Sequence, residues 1–380
     1  MDDRHLLDYA QRLISIPSTS RDSNEAVAEQ MQAWLKELGF EIESLNYLDP
    51  NGINKVNLVA KRGSGVGGLA YFGHNDCVPI EKWTGPGGPF SPVIEQDKLF
   101  GRGSCDMKGS LAAMLEASRR THQSRTNAPF YFICTADEEC GYFGAAEVVA
   151  RSDIYQELKA GKALGIIGEP TRLQVVNSHK GSAGFRVRSH GVAAHSSTRH
   201  GKNANLAMIP FLADMKDIHD ETESQAIWQN TTFDPPTMSW NIGINDGNTA
   251  VNITAPLSLC SVYFRPMPGV DHQPLLERAR ESASRHGLEF EMVGDGSPMF
   301  TDPNSSAVIE LLQCTGLEEP QTVSFGTDAC MFSDLESLAL FGPGDIAQAH
   351  TDDEWIELDQ LNRGAELYTQ LIKRWCCGLS

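Results

Sequence analysis

The chain has 380 residues, of which 41% are hydrophobic and 21% are charged. This composition is typical of a folded globular protein and excludes a disordered chain, which would have too few apolar residues to form a core. The formal net charge is −19. Because binding to a polyanion requires a positively charged surface, we expect no nucleic-acid partner.

Three features predict a cytoplasmic location. No apolar run reaches the about 20 residues that are needed to cross a bilayer, so we expect no membrane partner. Residues 1–20 carry Asp2, Asp3 and Arg4 followed by helical alternation, which is unlike a secretory signal. The nine cysteines are scattered, without a Cys-x-x-Cys pair. This usage indicates reduced thiols rather than a disulfide framework.

The first half of the chain alternates helical and strand patterns. Apolar residues at helical spacing predict helices over 6–14 and 26–38. Later elements, in chain order, are strands at 57–60 and 69–72, a helix over 109–120, and strands at 130–134 and 163–167. Such alternation predicts an α/β fold with a mostly parallel sheet and helices on both of its faces. Reactive groups in such sheets gather beyond the carboxyl ends of the strands.

From about residue 177 the pattern changes to a compact α+β set. Its predicted elements are a strand at 184–189, a helix at 203–218, strands at 238–244 and 257–264, a helix at 273–286 and a strand at 288–293. The α/β pattern then returns with a helix at 305–314, a strand at 338–341 and a helix at 360–375. We therefore predict a discontinuous catalytic domain, 1–176 and 291–380, with a smaller α+β domain, 177–290, inserted into it.

Acidic residues and histidines follow the predicted strands in short clusters that contain glycine or adjoin it. The candidate residues are His74 with Asp76, Asp106, Glu138 with Glu139, Glu169 and, far downstream, His350. Intervals of 30, 32 and 30 residues separate successive clusters among the first four. Because a βαβ unit has about this length, the clusters can meet at one edge of one sheet. A lone histidine or a Glu-Glu pair is more often a surface feature, but regular recurrence at strand ends favours a functional site.

Converging imidazoles and carboxylates need a cation to offset their mutual repulsion, and histidine with carboxylates suits zinc. Five ligands are too many for one catalytic zinc, but they suit two zinc ions about 3.5–4 Å apart that share a carboxylate. Co²⁺ or Mn²⁺ could replace zinc. Asp76 can accept the far N–H of the His74 imidazole. Of the adjacent Glu138 and Glu139, one can bind metal while the other acts as general base.

The clusters carry a family resemblance in these segments: Gly73-His74-Asn75-Asp76-Cys77-Val78-Pro79, Gly101-Arg102-Gly103, Asp106-Met107-Lys108-Gly109, Asp137-Glu138-Glu139-Cys140-Gly141 and Gly168-Glu169-Pro170-Thr171. Together they resemble the signature of the di-zinc aminoacylase/carboxypeptidase-type metallohydrolases, over nearly the whole chain. The resemblance implies these roles: His74 and Glu169 on one zinc, Glu139 and His350 on the other, Asp106 as the bridge, Asp76 orienting His74, and Glu138 as general base and acid.

The resemblance also implies a role for the inserted domain, which commonly mediates dimerisation in this family. We therefore expect a homodimer. Three residues of the domain resemble substrate-binding positions: His195, Asn252 and Arg265. His195 would steady the oxyanion, and Arg265 would bind a substrate carboxylate.

Segments 168–174, 264–269 and 342–350 look closest to the branch of acetylornithine deacetylase and succinyl-diaminopimelate desuccinylase. This implies a small-molecule N-acyl amino acid substrate and hydrolysis of N-acetylornithine to ornithine and acetate, a step of arginine biosynthesis. Segment 324–329 departs, with Gly-Thr-Asp where acetylornithine deacetylases more often carry Thr-Glu-Ala. Desuccinylation of succinyl-diaminopimelate, deacetylation of N-acetylcitrulline, and aminopeptidase or dipeptidase activity stay open. A non-catalytic binding protein is disfavoured, because every implied ligand is present.

Overall fold

The computed structural model of the protein describes residues 4–247 and 250–378. These residues form two compact units. The first consists of 4–178, 300–321 and 327–378, and the second of 179–247, 250–299 and 322–326. The dimerisation role predicted for 177–290 stays a prediction.

The helices are, in chain order, α1 (Arg4–Ser15), α2 (Glu25–Glu37), α3 (Gly109–Arg120), α4 (Phe143–Arg151), α5 (Asp153–Ala160), α6 (Asn205–Ser224), α7 (Gln273–Arg285), α8 (Ser306–Thr315) and α9 (Leu358–Cys376). The strands are β1 (Glu41–Leu48), β2 (Asn54–Arg62), β3 (Leu69–His74), β4 (Val93–Glu95), β5 (Lys98–Phe100), β6 (Phe130–Thr135), β7 (Leu164–Ile167), β8 (Val176–His179), β9 (Ser182–His190), β10 (Asn241–Asn245), β11 (Leu257–Phe264), β12 (Glu289–Gly296), β13 (Met299–Phe300), β14 (Gln321–Val323), β15 (Leu338–Leu340) and β16 (Trp355–Glu357).

The large sheet runs in the order β1-β2-β6-β3-β7-β15-β8-β13, and β14 also pairs with β8. Its centre, β6-β3-β7-β15, is parallel, whereas β1 and β2 are antiparallel to their neighbours. Every residue of β3, β6 and β7 is buried, as expected for strands that are covered on both faces. These strands were predicted from their apolar runs.

Helices cover both faces of the large sheet. On one face, the ring of Tyr71 in β3 packs against Tyr368 of α9, with ring centroids 5.5 Å apart. On the other face, Phe72 packs against Phe332 at 4.5 Å, and Phe332 also contacts Tyr155 of α5. Because successive residues of a strand point to opposite faces of the sheet, the contact of Tyr71 lies in one helical layer and the contact of Phe72 lies in the other. The predicted α/β class, with a mostly parallel sheet between helical layers and an additional smaller α+β set, is confirmed.

The second unit has an antiparallel sheet in the order β10-β11-β9-β12. Burial alternates along β11, as expected for a sheet with one face on a core. That core combines Phe185 and Phe264 of the sheet with Phe211 of α6 and Leu275 of α7. Among residues 4–247 and 250–378, no helix combines the length and the apolar character that a membrane span requires.

Candidate metal centre

Adjacent parallel strands bring three of the predicted clusters to one edge of the large sheet. β6, β3 and β7 are neighbours, with Leu69 opposite both Phe130 and Leu164. His74 ends β3, while the Asp137-Glu138-Glu139 segment follows β6 and Glu169 follows β7. The carboxyl ends of parallel strands meet at one edge, so this convergence follows from the strand order.

Asp106 arrives from a different sheet. It follows β5, which belongs to a small antiparallel sheet of order β16-β5-β4. The expectation that all four clusters meet through one sheet is therefore wrong for Asp106. Asp106 lies in the helical turn Ser104–Lys108 and departs locally from helical dihedrals, with φ −124° and ψ 94°.

The carboxylate of Asp106 lies between two imidazoles. Its Oδ1 atom is 3.0 Å from His74 Nε2, and its Oδ2 atom is 3.4 Å from His350 Nε2. His74 Nε2 is also 3.7 Å from Glu169 Oε1. On the far side, His350 Nε2 is 3.0 Å from Glu139 Oε2. The structure thus brings together all five residues that were predicted as metal ligands.

The ligand atoms of three of these residues, His74, Asp106 and Glu139, all lie within 4.8 Å of one another. His74, Asp106 and Glu169 are buried, whereas the His350 side chain is 53% exposed. His350 has a left-handed backbone with φ +63°, a conformation that non-glycine residues adopt infrequently and that occurs often at functional sites.

Asp76 organises the segments that carry the candidate ligands. Its carboxylate accepts hydrogen bonds from the Ser20 hydroxyl at 2.8 Å and from the backbone N–H groups of Glu138 and Glu139 at 3.2 and 3.3 Å. The His74 Nδ1 atom lies 3.0 Å from the main-chain oxygen of Asp76 and 3.5 Å from its Oδ1 atom. Asp76 therefore contacts both the imidazole and the Glu138–Glu139 turn.

The acidic groups in the cluster repel one another. Burial, together with the Asp106 carboxylate, raises the pKa of Glu139 to about 7 and raises the pKa of Glu169 well above its ordinary value. Burial and the carboxylates of Glu169 and Glu139 raise the pKa of Glu138 in the same direction. Crowded carboxylates shift in this way when no cation offsets their charge.

The pKa values of the two histidines are also raised, which favours their charged forms. Hydrogen bonds to Asp106 and Glu139 raise the pKa of His350 to about 10. Burial lowers the pKa of His74, but hydrogen bonds to Asp106 and Asp76 outweigh it, so the net pKa is well above the ordinary value. The raised pKa values of the two imidazoles favour their protonated forms, whose charge offsets part of the carboxylate charge. Because metal ligation deprotonates histidine, a divalent cation would take the place of these protons.

The predicted substrate-binding residues all lie in the second unit. His195 pairs with Ile253 in an isolated bridge, and the N–H of Ser196 donates to the Asn252 oxygen at 2.9 Å, so His195 and Asn252 are neighbours. His195 is exposed, and its Nδ1 atom lies 2.7 Å from Ser197 Oγ. Arg265 follows β11, with its guanidinium 5.0 Å from the centre of the Tyr263 ring. Their roles stay predictions.

Sequence reasoning missed several buried polar residues around the cluster. Glu354 accepts hydrogen bonds from the backbone of the turn that holds Asp106. The Thr135 hydroxyl donates to Asp328 Oδ2 at 2.6 Å, and burial raises the pKa of Asp328 to about 7. The sequence signal for Asp328 was its place in segment 324–329, which departs from the pattern that acetylornithine deacetylases more often carry.

A further missed pair holds the turn of Glu138 and Glu139. Lys55 Nζ lies 2.6 Å from Asp137 Oδ1, with both side chains buried, and the Tyr47 hydroxyl donates to Asp137 Oδ2 at 2.7 Å. Asp137 itself has a left-handed backbone, with φ +58°. These contacts stabilise a conformation that is otherwise costly for a residue other than glycine.

The donor set fits divalent cations. Imidazole nitrogens and carboxylate oxygens are borderline and hard donors that suit zinc, cobalt or manganese. The Asp106 carboxylate has one oxygen near His74 and the other near His350. A carboxylate placed in this way is suited to bridging two ions. The adjoining half-buried Glu138 provides a carboxylate beside the same cluster. The arrangement can therefore support metal-assisted hydrolysis.

Comparison with other proteins identifies the family. The model of the Peptidase family M20/M25/M40 matches residues 70–374. The acetylornithine deacetylase of Proteus mirabilis is 31% identical over 383 residues, covering 97% of this chain and 96% of the relative. The acetylornithine deacetylase of Myxococcus xanthus is 33% identical over 381 residues, covering 96% of each.

Solved structures share the fold. The M20 family metallo-carboxypeptidase Sso-CP2 from Sulfolobus solfataricus matches with a TM-score of 0.80 and 18% identity, covering 99% of both chains. The YXEP protein of Bacillus subtilis, described as a dinuclear metal binding peptidase from the M20 family, matches with a TM-score of 0.67 and 13% identity over 97% of both chains. The chain therefore belongs to the Peptidase family M20/M25/M40 and is a hydrolase that acts on amide bonds.

Proposed function

We propose that the chain is a zinc-dependent amidohydrolase that converts N-acetylornithine to ornithine and acetate. The observation that carries the proposal is the position of Asp106, whose two carboxylate oxygens face His74 and His350 at 3.0 and 3.4 Å. This arrangement suits a pair of cations, and the acetylornithine deacetylases that match over nearly the full chain favour an acylated amino acid as substrate.

We assign the predicted ligands to two cation positions. His74 and Glu169 would hold one ion, Glu139 and His350 would hold the other, and Asp106 would bridge them. The raised pKa values of Glu139 and Glu169 support this assignment, because a cation pair would relieve the repulsion between the carboxylates. The donor set accepts Zn²⁺, and Co²⁺ or Mn²⁺ could replace it.

Glu138 is the proposed general base and acid. The chemistry supplied by a bound cation pair is Lewis-acid polarisation of the amide carbonyl and a lowered pKa for the attacking water. Glu138 accepts a proton from that water as the water oxygen attacks the carbonyl carbon. The C–N bond then breaks, and Glu138 returns the proton to the leaving amine. Burial and neighbouring carboxylates raise the pKa of Glu138, which favours this role.

Asp76 is the proposed orienting residue. Asp76 contacts His74 Nδ1 and the backbone N–H groups of Glu138 and Glu139. It thereby connects two proposed cation ligands, His74 and Glu139, with the proposed general base, Glu138. An acceptor on the far imidazole nitrogen fixes the tautomer that leaves Nε2 free for a cation. Asp76 therefore acts through its neighbours.

For the substrate, we assign His195 to the oxyanion, and we assign Asn252 and Arg265 to substrate binding. Arg265 would pair with the α-carboxylate, since a guanidinium recognises a carboxylate through parallel hydrogen bonds. If ornithine is the product, the reaction belongs to arginine biosynthesis. The nine cysteines without a Cys-x-x-Cys pair favour a location in the cytoplasm. Desuccinylation, deacetylation of N-acetylcitrulline and dipeptide hydrolysis are the alternatives.

We further propose a homodimer that forms through the second unit. β10 is an edge strand with Ile244 63% exposed, and on α6 Leu206 and Ile209 are exposed by 68% and 59%. Ile209 and Ile244 also line a shallow hollow of about 370 Å³. An unpaired strand edge beside apolar side chains is suited to a second copy of the chain.

The test compares substrates side by side. Zinc-loaded enzyme is offered N-acetylornithine, N-acetylcitrulline, N-succinyl-diaminopimelate and a neutral dipeptide, and release of free amine is measured. We expect the fastest cleavage with N-acetylornithine and loss of activity with a chelator. Faster cleavage of the dipeptide would replace the proposal by a peptidase. No cleavage of any of them by zinc-loaded enzyme would contradict it.

A further inference from the structure

Glu354 is a buried carboxylate outside the predicted ligand set that holds the turn of Asp106. Its side chain is 1% exposed. Its Oε1 atom accepts hydrogen bonds from the N–H groups of Cys105 and Asp106 at 2.9 and 3.0 Å, and its Oε2 atom accepts from the N–H of Gly103 at 2.9 Å. One carboxylate thereby fixes the backbone on which the Asp106 side chain depends.

Arg102 connects the same carboxylate to the segment of His350. Its Nη1 atom donates to Glu354 Oε2 at 2.8 Å, and its Nη2 atom donates to the main-chain oxygen of Thr351 at 2.9 Å. Thr351 follows His350 directly in the sequence. The two arms of a single guanidinium therefore link the support of Asp106 to the residue next to His350, in a geometry that a lysine could not reproduce.

The small sheet completes this link. β5 ends two residues before Arg102, and β16 starts immediately after Glu354. In the sheet, Trp355 pairs with Phe100, and the N–H of Gly101 donates to the Glu354 main-chain oxygen at 3.0 Å. The Asp106 and His350 segments thus enter the site from one antiparallel pair of strands.

The other cation position has a different support. His74 and Glu169 follow β3 and β7, which are adjacent, fully buried strands of the large sheet. No contact of Glu354 or Arg102 with these two residues is found in the described part of the chain. His74 and Glu169 therefore depend on the large sheet alone, whereas the position of His350 and Glu139 depends on the small sheet as well.

We propose that Glu354 and Arg102 are positioning residues that hold Asp106 and His350 at the separation required for a bridged cation pair. The inference rests on the proposed function, because it concerns the same two cations. It further implies that the position lined by His350 depends on this buried ion pair more than the position lined by His74 does. Partners of metal ligands commonly contribute 10–100-fold to metal affinity.

The test is a titration of the metal-free chain with Co²⁺, followed by visible absorption and by calorimetry. On the proposed function, the unsubstituted chain has two binding steps, and His350→Ala identifies one of them by abolishing it. In Glu354→Gln, we expect the dissociation constant of that step to rise by about 10–100-fold. We expect the constant of the other step to rise by a smaller factor.

Two more variants complete the design. Glu357→Gln removes an exposed carboxylate from β16, three residues from Glu354, and should leave both steps unchanged. Arg102→Lys keeps the charge but loses the two-armed contact, and should weaken the His350 step as Glu354→Gln does. If circular dichroism shows that Glu354→Gln does not fold, Arg102→Lys is the variant that tests the proposal.

The outcomes separate the two proposals. Equal weakening of both binding steps would indicate a general structural role for Glu354 and would overturn the inference. The inference would also be overturned if both binding steps were unchanged in Glu354→Gln and in Arg102→Lys. In those cases the unsubstituted chain still binds two ions, so the proposed function stands. A single step in the unsubstituted chain would overturn the cation pair, and the inference with it.

Discussion

The Nε2 atom of His350 lies 3.0 Å from Glu139 Oε2, although 211 positions of sequence separate the two residues. On the opposite side, His74 Nε2 lies 3.7 Å from Glu169 Oε1. Each pair combines one imidazole and one carboxylate, and Asp106 stands between them. Two imidazole–carboxylate pairs therefore flank one carboxylate in a nearly symmetric arrangement.

Replacement of Glu138 should separate catalysis from metal binding. In Glu138→Gln the side chain keeps its size but cannot take a proton from water, so we expect kcat to fall by about 10²–10⁴-fold. Because Glu138 is not a proposed ligand, the amount of bound zinc, measured by elemental analysis, should stay unchanged. Glu37→Gln, an exposed position at the end of α2, is the control. Near-normal turnover in Glu138→Gln would contradict the assigned role.

Stability of the metal-free chain should fall as the pH rises. Folding raises the pKa of Glu139 and Asp328 to about 7 and that of His350 to about 10. The native state therefore binds more protons than the unfolded state above the ordinary pKa values, so the free energy of unfolding decreases with pH. Urea unfolding between about pH 6 and about pH 9 should show this decrease.

Zinc should weaken this dependence, because ligation deprotonates His350 and offsets the carboxylate repulsion. The zinc-loaded chain is therefore the control for the same series of urea transitions. A metal-free chain that becomes more stable from about pH 6 to about pH 9 would contradict the direction of the shifts.

The buried pair of Lys55 and Asp137 should be essential to stability. Lys55→Met leaves the Asp137 carboxylate buried without its cation, and we expect a loss of about 3–5 kcal/mol in the free energy of unfolding. Lys61→Met, in the same strand, removes a partly exposed pair with Glu157 and should cost no more than about 1 kcal/mol. Equal losses in the two variants, measured by urea unfolding, would count against this account.

The apolar face of the second unit should control assembly. A charged residue in the proposed interface would have to be buried there, so Ile209→Glu combined with Ile244→Glu should convert the proposed dimer to a monomer. Light scattering coupled to size-exclusion chromatography measures the mass. Leu48→Glu, at a leucine of β1 that is 68% exposed, should leave the proposed dimer intact. A mass that is unchanged by the double substitution would exclude this face.

Local sequence pattern was enough to predict the strands that position His74 and Glu169. β3 and β7 contain the short apolar runs 69–72 and 164–167, each followed directly by a glycine, and such runs indicate strands that are buried on both faces. The helix containing Leu111 and Met114 was predicted with the bounds that α3 has. Helices α4 and α5 were missed, although their residues 143–160 lie between two predicted strands.

Glu354 and Arg102 could not be found in this way. Their contact depends on the pairing of β5 with β16, and each of these strands has only three residues, too few for a periodic pattern. Glu354 ends the acidic run Asp352-Asp353-Glu354, which resembles a solvated surface segment. Long-range pairing of this kind is set by tertiary packing, to which single-sequence patterns are insensitive.

The most direct test of the central claim is anomalous X-ray diffraction at the zinc edge from crystals of the zinc-loaded protein. The account predicts two anomalous peaks about 3.5–4 Å apart, one on each side of the Asp106 carboxylate. One peak should be bounded by His74 and Glu169, and the other by Glu139 and His350. A single peak, or a second peak away from Asp106, would contradict the bridged pair.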